Sequence, residues 1–402
     1  MTKRKRVSDP SPFGFDITPM IGLTRPPCDF GKVTHCIDNC IRHFDAEGQP
    51  VFETPKKMWK IIKKNGLYVE LESDKVLKGN MHTSHTVSMF RMAHAVRQAL
   101  RKQTPVQLTK ADSQGFKQVD LRNATHQRRH SSKNIVWLNA IHIGKQCVLK
   151  TTTDEATQLI YIVEAIIHHL VWSTCPNYVP KQYFVGFAKG NRLVIASEQL
   201  CTPSVTTFLS SIQNRSDRIV WHMVRNVCLA IRRMQRTAAF THRDCHISNV
   251  YYNGRRKIVK FIDYDWSSVR VRGKKISVPR HLFDTTRTTY TNNRSVDCCV
   301  FLRTLGPALE KKAERFKDMI WRPLMDRYER ESRALLFEKS ATDTAAMQLY
   351  KMSTVDGRLR GKYAHKYGVA KKKVDFEYLM GHYTYPCMTP ESILKFIESR
   401  EM

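Results

Sequence analysis

The sequence predicts an α+β fold in which a strand-rich stretch gives way to a helical one behind a long basic extension. Three observations predict it. Asn134–His142 and residues 146–150 are apolar runs separated by a Gly144-Lys145 turn signal, which reads as two hairpin-connected strands. Residues 157–172, 205–209, 218–236 and 391–399 repeat apolar side chains at helical spacing. An apolar fraction of 42% in 402 residues is enough for a sizeable core, in two domains or a two-part enzyme with extensions.

Charge is the outstanding feature of the composition. The formal net charge is +31, and the field it creates favours polyanions: nucleic acid, acidic protein tails or anionic surfaces. The eleven cysteines are an odd number, scattered without a framework pattern, and no N-terminal apolar segment suggests secretion. Reduced thiols in a nuclear or cytoplasmic setting are expected. Residues 159–172 form the longest apolar run, interrupted by Glu164, His168 and His169, so no membrane span is expected.

Residues 1–12 begin Met-Thr-Lys-Arg-Lys-Arg and continue into a Ser/Pro segment. They read as a disordered basic tail, either a nuclear-import signal or a solubilising terminus. Residues 13–116 form an N-terminal extension. In it Cys28, His35, Cys36, Cys40 and His43 are close enough in sequence to offer a zinc set, but Cys36, Cys40 and His43 recur at helical spacing, which favours a buried helix face. Met89, Met92, Ala93, Val96 and Leu100 fall on one helical face and read as core.

The chemistry concentrates further on. Thr241-His-Arg-Asp-Cys-His-Ile-Ser-Asn249 sets an acid, Asp244, five positions before an amide, Asn249; Val259-Lys-Phe-Ile then leads into Asp263. Phosphoryl transfer needs a carboxylate at the attacking hydroxyl, and an amide oxygen and a second carboxylate to hold magnesium. The first stretch matches H-R-D-x-x-x-x-N, and Asp263 stands where D-F-G begins, although the triplet here is Asp263-Tyr264-Asp265. On these residues the chain resembles the protein-kinase superfamily from about residue 117 to 310. Asp29-Phe30-Gly31 is a decoy that precedes every other such element.

The resemblance implies a two-lobed kinase-like fold: a β-rich small lobe over 117–200, and a helical larger lobe over 201–402 ending in a basic extension. It implies that Asp244 accepts the substrate's proton, that Asn249 and Asp263 hold Mg²⁺, and that Lys150 contacts the ATP phosphates. Glu164 is the expected partner of Lys150, with Glu155 as the fallback. Arg243 would bind an added phosphate in the activation segment, where Ser277 and residues 285–289 are candidate acceptors. Adenine would meet backbone between Glu198 and Leu200. Asp297 would anchor the catalytic-loop backbone. Asp284 is a weak stand-in for the acid of A-P-E.

The phosphate-covering loop departs from the family. Residues 126–134 contain no glycine; Ser131 and Ser132 are small substitutes, and Arg128, Arg129 and Lys133 bring charge in place of bare amides. The leading expectation is a divergent Ser/Thr protein kinase using ATP and Mg²⁺ on a protein substrate. Large DNA viruses encode kinases with degraded glycine loops and no A-P-E, which by analogy would place it in a host nucleus or a virion. A kinase-like small-molecule phosphotransferase is the second reading. A pseudokinase acting as a basic nucleic-acid-binding or scaffold protein is the third.

Overall fold

The computed structural model describes residues 41–44, 50–52, 92–93, 95–110, 118–128, 134–211, 216–271, 274–277, 294–309, 312–339 and 385–400. The chain divides into two compact units, one of residues 1–201 with 270–279 and the other of 202–269 with 280–402. Together they are a mixed α+β protein.

The first unit is built on a curled sheet. A separate pair, β1 (Ile41–Phe44) and β2 (Pro50–Phe52), runs antiparallel. This corrects the expected helix at Cys36, Cys40 and His43: His43 lies in a strand, because Pro50–Phe52 supplies a pairing partner that helical spacing alone cannot reveal. The zinc candidates Cys28, His35, Cys36 and Cys40 lie outside the described residues.

The main sheet has seven strands: β3 (Gln107–Thr109), β4 (Gln118–Asp120), β5 (Thr125–Arg128), β6 (Asn134–His142), β7 (Lys145–Thr152), β8 (Gln182–Ala188) and β9 (Arg192–Glu198). Their order is β3-β4-β6-β7-β9-β8, with β5 also on β6. Val106 bridges Ala188 and donates its N–H to Phe187 O at 2.7 Å, so the sheet curls until its edges meet. Closure is tight, since a Cβ on Gly186 would lie 2.8 Å from Val106 Cγ2. The enclosed core contains Val106, Val119, Ala140, Cys147, Leu149 and Phe184. The sheet therefore begins before residue 117, where the sequence resemblance starts. Residues 92–93 and 95–101 are helical, with Met92, Ala93, Val96 and Leu100 buried as expected.

The β6–β7 turn sits one residue earlier than the sequence suggests. Ile143 (φ 48°) and Gly144 (φ 68°) occupy the two central positions, the geometry of a type I′ turn. A β-branched residue is costly there, and Ile143 is 51% exposed, so it gains little by burial. Ile143→Asn is expected to raise stability by about 1 kcal/mol. An unchanged or lower urea midpoint would show that the turn is not strained.

α1 (Glu155–Thr174) starts at Asp154, whose carboxylate accepts the Thr157 N–H at 2.9 Å. Residues 158–168 are all buried, so α1 is an interior helix rather than a one-faced surface helix.

The second unit is mainly helical. α2 (Val205–Ser211) is followed by α3 (Asp217–Ala238), capped by Ser216 and buried along Val220, Met223, Val224, Val227 and Ile231. β10 (Val250–Asn253) and β11 (Ile258–Phe261) pair antiparallel. α4 (Val296–Leu309) follows. Glu314–Phe316 (α5), the π-helical turn Lys317–Trp321 and α6 (Arg322–Lys339) run on consecutively. A 3₁₀ turn at Pro386–Met388 leads to α7 (Pro390–Glu398), the expected terminal helix. A short hairpin of β12 (Ser268–Val271) and β13 (Lys274–Ser277) lies where the chain passes from the second unit back to the first. Ser277 is only 5% exposed there, so it is not a ready phosphoacceptor.

Gly306 is needed for close packing. A Cβ at this position in α4 would lie 2.1 Å from Trp321 Cζ2, and the Trp321 indole N–H is fixed by a 2.7 Å bond to Leu302 O. Gly306→Ala is expected to destabilise the protein by about 2–3 kcal/mol through overpacking. Thermal melting that matches the wild type would show that the ring can move aside.

Candidate active site

In the first unit, strand alternation puts Cys147 and Leu149 in the core and Lys150 on the opposite face. Lys150 Nζ lies 2.5 Å from Glu164 Oε1, with side chains 19% and 7% exposed, and also 5.8 Å from the centre of the Tyr161 ring. An acid in the middle of an interior helix needs a charged partner, because an unpaired buried carboxylate is costly. Glu164 Oε2 makes no hydrogen bond among the described residues, so this carboxylate is only half satisfied. The alternative partner, Glu155, instead lies 3.2 Å from the buried Arg97.

Gln199 pairs reciprocally with Asn139 at the β6 bulge, accepting its N–H and donating Nε2–H to its Oδ1, both at 2.6 Å. Glu198 donates its N–H to Lys181 O and accepts the Lys181 N–H through its carboxylate. The Glu198 amide is thus already committed, and any backbone donor for a base must come from another residue. Leu200 is half-buried just past β9. Ser131 and Ser132 lie outside the described residues, although the strands flanking them, β5 and β6, pair from Thr125↔Leu138 to Arg128↔Ile135.

In the second unit, the loop from Thr241 to Asn249 is pinned at both ends. Asp297, at the start of α4 and 2% exposed, accepts the His242 N–H at 3.0 Å and the Arg243 N–H at 2.7 Å. This is the contact expected of it. Burial pushes the Asp297 carboxyl above its ordinary range, against His242 and the two N–H donors, which favour the ionised form. The His242 ring nitrogen Nε2 donates to Ile262 O at 2.9 Å, one residue before Asp263. The Ile247 N–H bonds Thr304 Oγ1 at 3.2 Å.

At the far end, Asn249 sits beside Asp244 and continues into the strand pair. Its Nδ2 donates to Asp244 O at 3.0 Å and lies 3.3 Å from Asp244 Oδ2, while its carbonyl accepts the Ile262 N–H at 3.0 Å. The β10–β11 register, Val250↔Phe261, therefore carries Asn249 alongside the residue preceding Asp263. Arg243 (φ 66°) and Asp263 (φ 67°) are both in the left-handed region. Such backbone costs about 1–2 kcal/mol per residue and concentrates where geometry serves a function. Tyr264 is buried against Phe240 and His242, and its hydroxyl donates to Phe261 O, so the Tyr of Asp263-Tyr264-Asp265 is a core anchor.

Sequence reading passed over His246. Its Nε2 lies 3.6 Å from Asp244 Oδ2, and the side chain is 35% exposed. Its position two residues after Asp244 in the loop was the available signal. Cys245 is fully buried in the same loop, and burial holds its thiol well above the ordinary value, which makes it inert packing.

Among the described residues no three His, Cys, Asp or Glu side chains cluster to hold a metal, and no helix is long and apolar enough to cross a membrane. An oxygen set of one amide and one carboxylate, Asn249 and Asp263, suits the hard cation Mg²⁺, which keeps several waters and needs few protein ligands. Asn249 uses its NH₂ towards Asp244, so Oδ1 remains as the acceptor.

No family model matches the chain, and no curated protein matches it. Among solved structures, it is similar to the autoinhibited serine kinase domain of the giant muscle protein titin. The two are 16% identical over 36% of this chain and 45% of that one, with a TM-score of 0.30. The chain thus spans less than half the length of that domain, and a likeness at this level leaves the assignment to the residues themselves.

Proposed function

We propose that this protein is a divergent protein kinase with a two-lobed kinase-like fold, transferring the γ-phosphoryl group of ATP to Ser or Thr hydroxyls of a protein. The observation that carries this reading is the pinned loop of the second unit. One buried carboxylate, Asp297, holds the backbone on which Asp244 stands, while the Asn249 carbonyl accepts the N–H of Ile262, the residue before Asp263. Arg243 and Asp263 are held in costly backbone within that arrangement.

In this reading Asp244 orients the attacking hydroxyl and receives its proton, helped by the Asn249 amide that fixes its carboxylate. Asn249 and Asp263 hold Mg²⁺, which neutralises charge on the phosphates when bound. Lys150, held by Glu164, contacts the phosphates as a point charge. Arg243 receives a phosphate added to the activation segment. Ser131 and Ser132 replace the missing glycines, and the base lies near Leu200. The basic tail and the reduced thiols go with a nuclear or cytoplasmic site of action.

The test is transfer of labelled γ-phosphate from Mg²⁺-ATP to generic protein substrates and to small alcohols, by the wild type, Asp244→Asn and Asp263→Asn. Protein labelling lost in both variants supports the reading, whereas labelling of alcohols alone moves it to a small-molecule phosphotransferase. No transfer and no nucleotide binding would leave a pseudokinase.

A further inference from the structure

The segment from Arg218 to Ile262 contains ten Lys or Arg residues and a single acid, Asp244. Part of this charge is gathered on one face of the second unit. On α3, Arg218, His222 and Arg225 follow one another at i, i+4 and i+7, which stacks them along one side of the helix. The turn between β10 and β11 adds Arg255, Arg256 and Lys257, all exposed. The hairpin lies against α3 through Asn226 Nδ2, which is 3.5 Å from Tyr252 OH. Burial lowers the pKa of His222, and the charges of Lys257, Arg218 and Arg225 lower it further.

The acids nearby are largely occupied. Asp217 accepts the Phe316 N–H at 2.7 Å, and Glu398 makes a long, exposed 3.4 Å pair with Arg225. Among the described residues, Arg218, Arg255, Arg256 and Lys257 have no carboxylate partner in any salt bridge. Unneutralised like charges at this density oppose each other in the isolated protein, and a polyanion relieves that.

We propose that the α3 face and the β10–β11 turn form a docking surface for the phosphate backbone of nucleic acid. Arginine dominates it, and the planar guanidinium fork matches phosphate oxygens in a bidentate way that a lysine cannot. The helical side chains rise by about 5.4 Å per turn, so they meet successive charges along an extended strand rather than one isolated anion. Contacts of this kind carry affinity without sequence preference. The proposal stands independently of phosphoryl transfer.

The experiment is fluorescence anisotropy of a short labelled DNA duplex against salt, using the full chain. The triple variant Arg255→Glu, Arg256→Glu, Lys257→Glu is compared with Lys102→Glu, Lys145→Glu, Lys189→Glu, an equal charge change at exposed positions of the first unit. The turn variant is expected to weaken binding by about tenfold or more, and to reduce the slope of log affinity on log salt by about 3, at about 0.9 per lost phosphate contact. Arg218→Glu on the helix should act in the same direction, and it decides the matter if the turn variant melts early. Equal losses in both triple variants would overturn the surface in favour of diffuse charge. Displacement of the duplex by polyglutamate, charge for charge, would overturn it in favour of an acidic protein partner.

Discussion

Asp244→Asn is expected to lower phosphoryl transfer by about 10²–10⁴-fold, the usual contribution of a positioned general base, while nucleotide affinity stays unchanged. The amide keeps the size of the carboxylate and its place beside Asn249, but it cannot take the proton of the attacking hydroxyl. Asp263→Asn is expected to fail differently. Asparagine tolerates the left-handed backbone at this position as well as aspartate does, so the fold survives. What disappears is the charge of the proposed Mg²⁺ ligand, so Mg²⁺ dependence and nucleotide binding are expected to weaken together with the rate. Single-turnover kinetics and nucleotide titrations at several Mg²⁺ concentrations separate the two. If both variants lost Mg²⁺-dependent binding equally, the distinct roles given to these acids would be wrong.

Asp297→Ala is expected to cost about 3 kcal/mol in stability and most of the transfer activity. The substitution leaves the buried His242 and Arg243 N–H groups without an acceptor, each at about 1–3 kcal/mol. It also releases Arg243 from a left-handed conformation that the fold has to hold in place. Asp244 is the next residue, so a shift of this backbone moves the proposed base directly. Asp297→Asn should fall between: one carbonyl oxygen can still serve the shorter Arg243 bond, while the NH₂ faces the His242 donor. Urea midpoints ranked wild type, Asn, Ala, with transfer following the same order, are the expected result. An alanine variant as stable and active as the wild type would mean that the loop is held from elsewhere.

Much of this was legible from the chain alone. The 134–152 hairpin, the helices around 157–172 and 218–236, and the loop with Asp244, Asn249 and Asp263 are local features. Strand alternation, helical spacing and short motifs carry them, so no distant contact was needed to find them. Glu164 was legible through the resemblance, which implies that the acid in the middle of the helix pairs with the strand lysine before it.

The tertiary structure decided what depends on residues far apart in sequence. Closure of the sheet through Val106 and Ala188 joins positions 82 residues apart, and nothing local at Val106 announces it. The strand at Ile41–Phe44 overrode helical spacing, because strand pairing depends on a partner and not on the segment itself. The left-handed conformations of Arg243 and Asp263 and the commitment of the Glu198 amide to Lys181 are likewise consequences of folding. The same holds for the basic face. Net charge was visible as a sum, but only packing of the β10–β11 turn beside α3 gathers it into one surface, because electrostatic attraction depends on distance in space and not along the chain.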